Sequence, residues 1–150
     1  MMSKPTIQFK DETKRLDRAV DVSVKNSLTR VGGAIRDEAK DSIRRRPGVS
    51  RPGEPPHSHL GTLQALIASA YDAQHSQVVV GPGLLTSRPA RSRLLSRSTV
   101  PETLEFGGVV EIQNTSGSVR VKEIQPRPFM GPAFRAVMRS GKLQRYWQRV

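Results

Sequence analysis

Glu105-Phe106-Gly107-Gly108 and Pro126-Arg127-Pro128-Phe129-Met130-Gly131-Pro132-Ala133-Phe134 decide how this chain folds. Each couples backbone-shaping residues to an aromatic of the kind that fills cores. Gly107 can accept the left-handed conformation that ends a helix. Pro126 and Pro128 hold their segment extended, and Pro132 suits the first turn of a helix. The second stretch therefore reads as an extended arm that anchors Phe129 and then launches a C-terminal helix.

Upstream, a helical period starts near Thr13. Leu16, Val20, Val24, Leu28, Val31, Ile35, Ala39 and Ile43 recur every three or four residues, which is one apolar stripe of an amphipathic helix. Arg44, Arg45 and Arg46 follow, where a helix dipole favours cations, and Pro47-Gly48 is the expected stop. Gly32-Gly33 within the stripe is a weak point or a close-packing site. Some thirty residues at about 1.5 Å each give a rod of roughly 45 Å, more than a small globule needs. Part of the stripe is therefore expected on a sheet and part on a neighbour.

Four prolines make residues 47–58 a loop. Residues 63–71 and 77–80 read as two strands, with Val78-Val79-Val80 as a buried β-branched run. Residues 84–98 form a basic loop carrying Arg88, Arg91, Arg93 and Arg97 without an acid. Thr99-Val100-Pro101-Glu102 has capping-box spacing and predicts a short helix to Phe106, closed by Gly107. Residues 109–113 and 119–124 predict a projecting hairpin about the turn-rich 114–118. In the last helix Phe134, Val137 and Met138 share a face. Leu143, Tyr146, Trp147 and Val150 share another, so a break is expected at Ser140-Gly141. The fold class is thus α+β: a long N-terminal amphipathic helix on a small, mostly antiparallel sheet, a short second helix, a C-terminal helix and extended loops. The 150 residues suit a single domain, with 1–12 as a flexible or partner-docked arm.

Composition bounds the partners. A net charge of +12 favours a polyanion or an acidic protein surface. Aromatics are only 5% of residues, too few for a base-stacking platform. There is no cysteine, which excludes disulfides and thiolate metal sites. No apolar run nears the ~20 residues of a membrane helix, and the polar N-terminus does not read as a secretory signal. The expectation is synthesis in the cytoplasm and no membrane partner.

In their order along the chain, five segments resemble the tail-component family of long-tailed bacteriophages, also called neck or tail-completion proteins. They are residues 33–40, the loop Pro52-Gly53-Glu54-Pro55-Pro56-His57 with Gly61-Thr62-Leu63, the strand Val78-Val79-Val80-Gly81-Pro82, and the two stretches quoted first. The likeness covers roughly residues 20–138. It implies a structural virion protein, not an enzyme, forming a ring of identical subunits at the head–tail junction. A sixfold ring is expected, with head-closure or connector proteins and tail-tube or tail-terminator proteins as neighbours and genomic DNA in its channel. It marks Gly53, Pro56, Gly81, Pro82, Glu105, Phe106, Gly107, Pro126, Arg127, Pro128, Phe129 and Pro132 as structural positions. Phe106 is then a core anchor beside the sheet. Glu105 either satisfies backbone donors or pairs with Arg127.

Two further readings stay open: a tail terminator, and a module that binds nucleic acid by charge alone. For the second, Arg88, Arg91, Arg93, Arg97, Arg139, Lys142, Arg145 and Arg149 could face DNA, or instead the acidic surface of a partner protein. Catalysis and metal binding find little material. His57, His59 and His75 lack a third ligand at firm spacing. Ser58 between two histidines has no nucleophile elbow. The acids Glu102, Glu105 and Glu111 are better read as caps and edge contacts than as an acid–base pair. No cofactor, metal or catalytic residue is expected.

Overall fold

The computed structural model describes residues 13–83, 100–113 and 118–147. The expected arm at 1–12, the basic loop at 84–98 and the turn residues 114–117 lie outside them, as do Thr99 of the capping box, Arg88, Arg91, Arg93, Arg97, Arg149 and Val150.

Helix α1 spans Thr13–Ser42 and a one-turn helix α2 spans Thr62–Leu66. Strands β1 (Ile67–Asp72) and β2 (Gln77–Pro82) form one antiparallel hairpin. Helix α3 (Val100–Phe106) leads into a second hairpin, β3 (Gly108–Gln113) with β4 (Val119–Ile124). Helices α4 (Met130–Arg139) and α5 (Lys142–Trp147) complete the described chain. The architecture is α+β, and the small antiparallel region is divided into two separate two-stranded sheets.

The apolar stripe of α1 supplies the core only along its C-terminal half. Ala39 and Ile43 join Ile67, Phe129 and Ala133 in one buried cluster. Val31 and Ile35 join Val137 in a second, and Met130 packs against both. The N-terminal half behaves differently: residues 13–22 are all exposed, with Leu16 at 65% and Val20 at 51%. Ser27 marks where α5 crosses α1. It is fully buried, and its hydroxyl donates to the Tyr146 carbonyl at 3.2 Å.

Four local expectations are corrected. The helix α1 ends at Ser42 and not at Pro47, so Arg44–Arg46 lie beyond it; the Gln64 amide donates to the Lys40 and Ile43 carbonyls there, and Ser58 N–H to the Arg44 carbonyl, which replaces further helical turns. The strand expected from residue 63 starts at Ile67, because the chain first makes the α2 turn that carries Leu63 inward. The valine run of β2 is only half-buried, since its hairpin covers α1 with one face and leaves Val79 57% exposed. In α4 the buried line is Ala133 and Val137, four apart, while Phe134 and Met138 stand at its flank about half exposed. The break at Ser140-Gly141 falls where the sequence placed it.

The β1–β2 turn is fastened by Asp72. Its carboxylate accepts from Gln74 N–H at 2.9 Å and Gln77 Nε2 at 3.2 Å, and meets His75 Nδ1 at 2.6 Å. The His75 contact holds the Asp72 carboxyl below its ordinary value. The β3–β4 hairpin leans on α3 and buries Val110, while every described residue from 118 to 123 is exposed.

Gly32 is the closest approach between helix and hairpin: a Cβ there would run into the Val78 side chain. Gly33 faces open space, with nothing nearer than the Arg36 guanidinium at 4.0 Å. The pair gives a clean contrast. Alanine gains about 1 kcal/mol over glycine in a helix, whereas overpacking a stiff valine costs about 1–3 kcal/mol. Gly33→Ala should therefore stabilise by about 0.5–1 kcal/mol in urea unfolding. Gly32→Ala should destabilise by up to about 2 kcal/mol. Equal effects at the two positions would refute the close packing.

Candidate functional site

The two quoted stretches meet at the start of α4. An α-helix leaves its first four backbone N–H groups without internal partners. Here those positions are Phe129, Met130, Gly131 and Pro132, and proline has no N–H to satisfy. Glu105 takes the other three: Oε2 accepts from Phe129 at 2.8 Å and Met130 at 3.0 Å, and Oε1 accepts from Gly131 at 2.8 Å. The helical ladder begins one residue later, with Ala133 N–H donating to the Phe129 carbonyl at 3.3 Å. A carboxylate is also the charge that the positive end of a helix dipole favours.

Of the two roles open to Glu105, backbone donors are therefore the one found. Arg127 goes elsewhere. Its Nε donates to the Ser50 carbonyl at 3.1 Å and a terminal nitrogen to the Gln125 carbonyl at 2.9 Å. Its own N–H reaches Leu104 O at 2.6 Å, and Pro126 O accepts from Gly53 N–H at 2.9 Å. These bonds stitch the extended arm between α3 and the proline-rich loop, with Pro56 buried beneath. Gly107, at φ 74°, makes the turn that lets α3 and β3 adjoin the arm; a Cβ there would press on the Ile124 carbonyl at 3.0 Å.

Phe129 is the anchor it was read to be, fully buried as the largest side chain of the core. Phe106 is not: it is 77% exposed. The helix α3 turns Thr103 and Leu104 inward, and at about 100° per residue the side chain at 106 falls off that face. Phe106 instead borders an open apolar groove of about 820 Å³. Ile35, Val78, Val80, Phe129 and Phe134 line it. Pro82 and Pro128 also line it, whereas Gly81 does not. Glu102, Glu105 and Arg135 are its charged members.

Among the basic residues, Arg139, Lys142 and Arg145 are exposed along α4 and α5. Among the described residues no three His, Asp or Glu side chains gather as a metal site. Ser58 is buried, and His59 and His75 are exposed. No described helix is long and apolar enough to cross a membrane. Comparison with protein-family models, with curated proteins and with solved structures finds no match to this chain.

Ser50 escaped the sequence reading, and His57 was weighed there only as a metal ligand or beside Ser58. The Ser50 hydroxyl and His57 Nδ1 are buried without a hydrogen-bond partner. A serine at the fourth position after three arginines and one before another was the available signal, but only the path of the proline-rich loop brings Ser50 and His57 to one cavity.

Proposed function

We propose that this protein is a structural, non-catalytic virion component of a long-tailed phage. It forms a ring, sixfold by expectation, that completes the tail and joins it to the capsid around the DNA channel. The observation that carries the reading is the first third of α1. It extends beyond its own core with Leu16 and Val20 in water. A helix gains most of its stability from packing an apolar face, so three unpacked turns call for a partner. The open groove beside Phe106 and Phe134 and the exposed Val109, Val119 and Val121 of the β3–β4 hairpin supply further apolar surface. A heterologous contact between identical subunits closes into a ring when the rotation per subunit fits. Head-closure or connector proteins on one side and tail-tube or tail-terminator proteins on the other are the proposed neighbours.

The experiment is electron microscopy of particles assembled without the protein. Filled heads beside free tails are expected, and intact tailed particles would end the proposal. Replacing Leu16 and Val20 with aspartate should leave the isolated fold within about 0.5 kcal/mol of wild type, because both are exposed. The same variant should fail to enter particles. Charge-driven binding of nucleic acid is the second reading, favoured by exposed Arg139, Lys142 and Arg145 in a chain of net charge +12. It requires duplex affinity that falls steeply with salt.

A further inference from the structure

At the end of α1, lined by no residue of the apolar groove, lies a polar cavity of about 670 Å³. Arg44, Arg46 and Arg51 line it together with Ser50 and His57, the two residues whose polar atoms are buried and unpartnered. Ser50 is only 4% exposed. A second, smaller cavity of about 300 Å³ shares Ser50 and His57, so these two residues stand in the partition between the cavities. Leaving a buried hydroxyl or ring nitrogen without a partner is costly, and a native fold keeps such groups where something outside the chain completes them.

We infer that this cavity is a phosphate-binding site. The donor set fits a tetrahedral oxyanion. Arginine offers a fork of N–H donors matched to phosphate, the Ser50 hydroxyl has a proton to donate, and His57 donates in the tautomer that carries its proton on Nδ1. No ion pair among the described residues engages Arg44, Arg46 or Arg51. Asp41 and Glu54 line the same cavity, so three arginines stand against two carboxylates. Charge alone would therefore not single out this place; the two orphaned groups do. Those carboxylates do not convert it to a metal site, because no three acid or histidine groups among the described residues come together to hold an ion. The ligand is a phosphate group, carried either by a DNA backbone or by a free phosphate monoester. The site does not depend on the assembly reading.

The test titrates inorganic phosphate into the full-length protein at low salt while following the His57 ring and the Ser50 amide by NMR. Saturable shifts at both positions are expected, with affinity in the millimolar range typical of one weakly held anion. Ser50→Ala should weaken that affinity about tenfold without lowering Tm, because it removes an unpartnered hydroxyl. Arg46→Gln and Arg51→Gln, both exposed, should weaken it as well. A short DNA duplex distinguishes the sources. If the backbone is the ligand, each arginine variant should reduce the slope of log affinity against log salt by about 0.9. If duplex affinity is unchanged while phosphate still binds at Ser50, a free monoester is the ligand. Absence of shifts up to tens of millimolar phosphate, or shifts that Ser50→Ala leaves intact, overturns the site.

Discussion

Phe129→Ala should cost about 3–5 kcal/mol, the largest effect of any single truncation in this chain. Phe129 is fully buried against Ala39, Ile43, Ile67 and Ala133. The size of the loss depends on how far neighbours can collapse into the vacated space. Two of these neighbours are alanines fixed on helices α1 and α4, and neither can extend a side chain into a void. Relaxation is therefore poor, and the cost belongs in the upper part of the range. Small domains are stable by about 5–15 kcal/mol in total, so the variant should be near its unfolding midpoint in little or no urea. Phe129→Leu keeps most of the volume and should cost less than about 1.5 kcal/mol. Phe106→Ser is the control: its ring is 77% exposed, and the change should stay within about 0.5 kcal/mol. Urea midpoints at unchanged slope measure all three. Similar losses at the two phenylalanines would show that Phe106 is a core anchor after all.

That contrast shows what was legible in the sequence. Long periodic patterns were read correctly because many residues vote on one phase. The stripe of α1 and the break at Ser140-Gly141 are of this kind. The seven-residue α3 has fewer than two turns, so its period cannot say whether Thr103 or Phe106 faces inward. Hydrophobicity favoured the phenylalanine; packing favoured the threonine and Leu104. The limits of the α1 core were equally invisible, since Leu16 and Val20 repeat the pattern of Ile35 and Ala39 and differ only in that no described residue buries them. The turn at α2 was missed because Leu63, Leu66 and Ile67 fit a strand and a helical turn alike. At the Ser50–His57 cavity the deciding fact is the loop path, held by the Gly53 and Arg127 hydrogen bonds across some seventy residues, and no local pattern encodes it.

Glu105 is the other position where one side chain should move stability by several kcal/mol. Its carboxylate caps the start of α4, and it reaches 24 to 26 residues along the chain to do so. A single capping bond is worth about 1 kcal/mol, and a bond to a charged acceptor about 1.5–3. Three bonds on one half-buried group do not add in full, so Glu105→Ala should cost about 2–4 kcal/mol. Glu105→Gln keeps the shape, but its amide nitrogen must face a backbone N–H, and the dipole loses its counter-charge; about half that cost is expected. Glu105→Asp keeps the charge and is one methylene too short to span the gap, so it should resemble alanine more than glutamine. Amide exchange separates this cap from a general stability effect. In Glu105→Ala the protons of Phe129, Met130 and Gly131 should exchange faster, while those of α1 between Val31 and Ala39 follow only the global change. Unaltered exchange at the three amides would mean that water or another group caps α4. The same variant tests how the groove is built, because Phe129 and Met130 enter its wall directly from the capped turn. Loosening that turn should blur the groove without touching any exposed residue, so a subunit that is folded but fails to assemble would locate the docking surface at this junction.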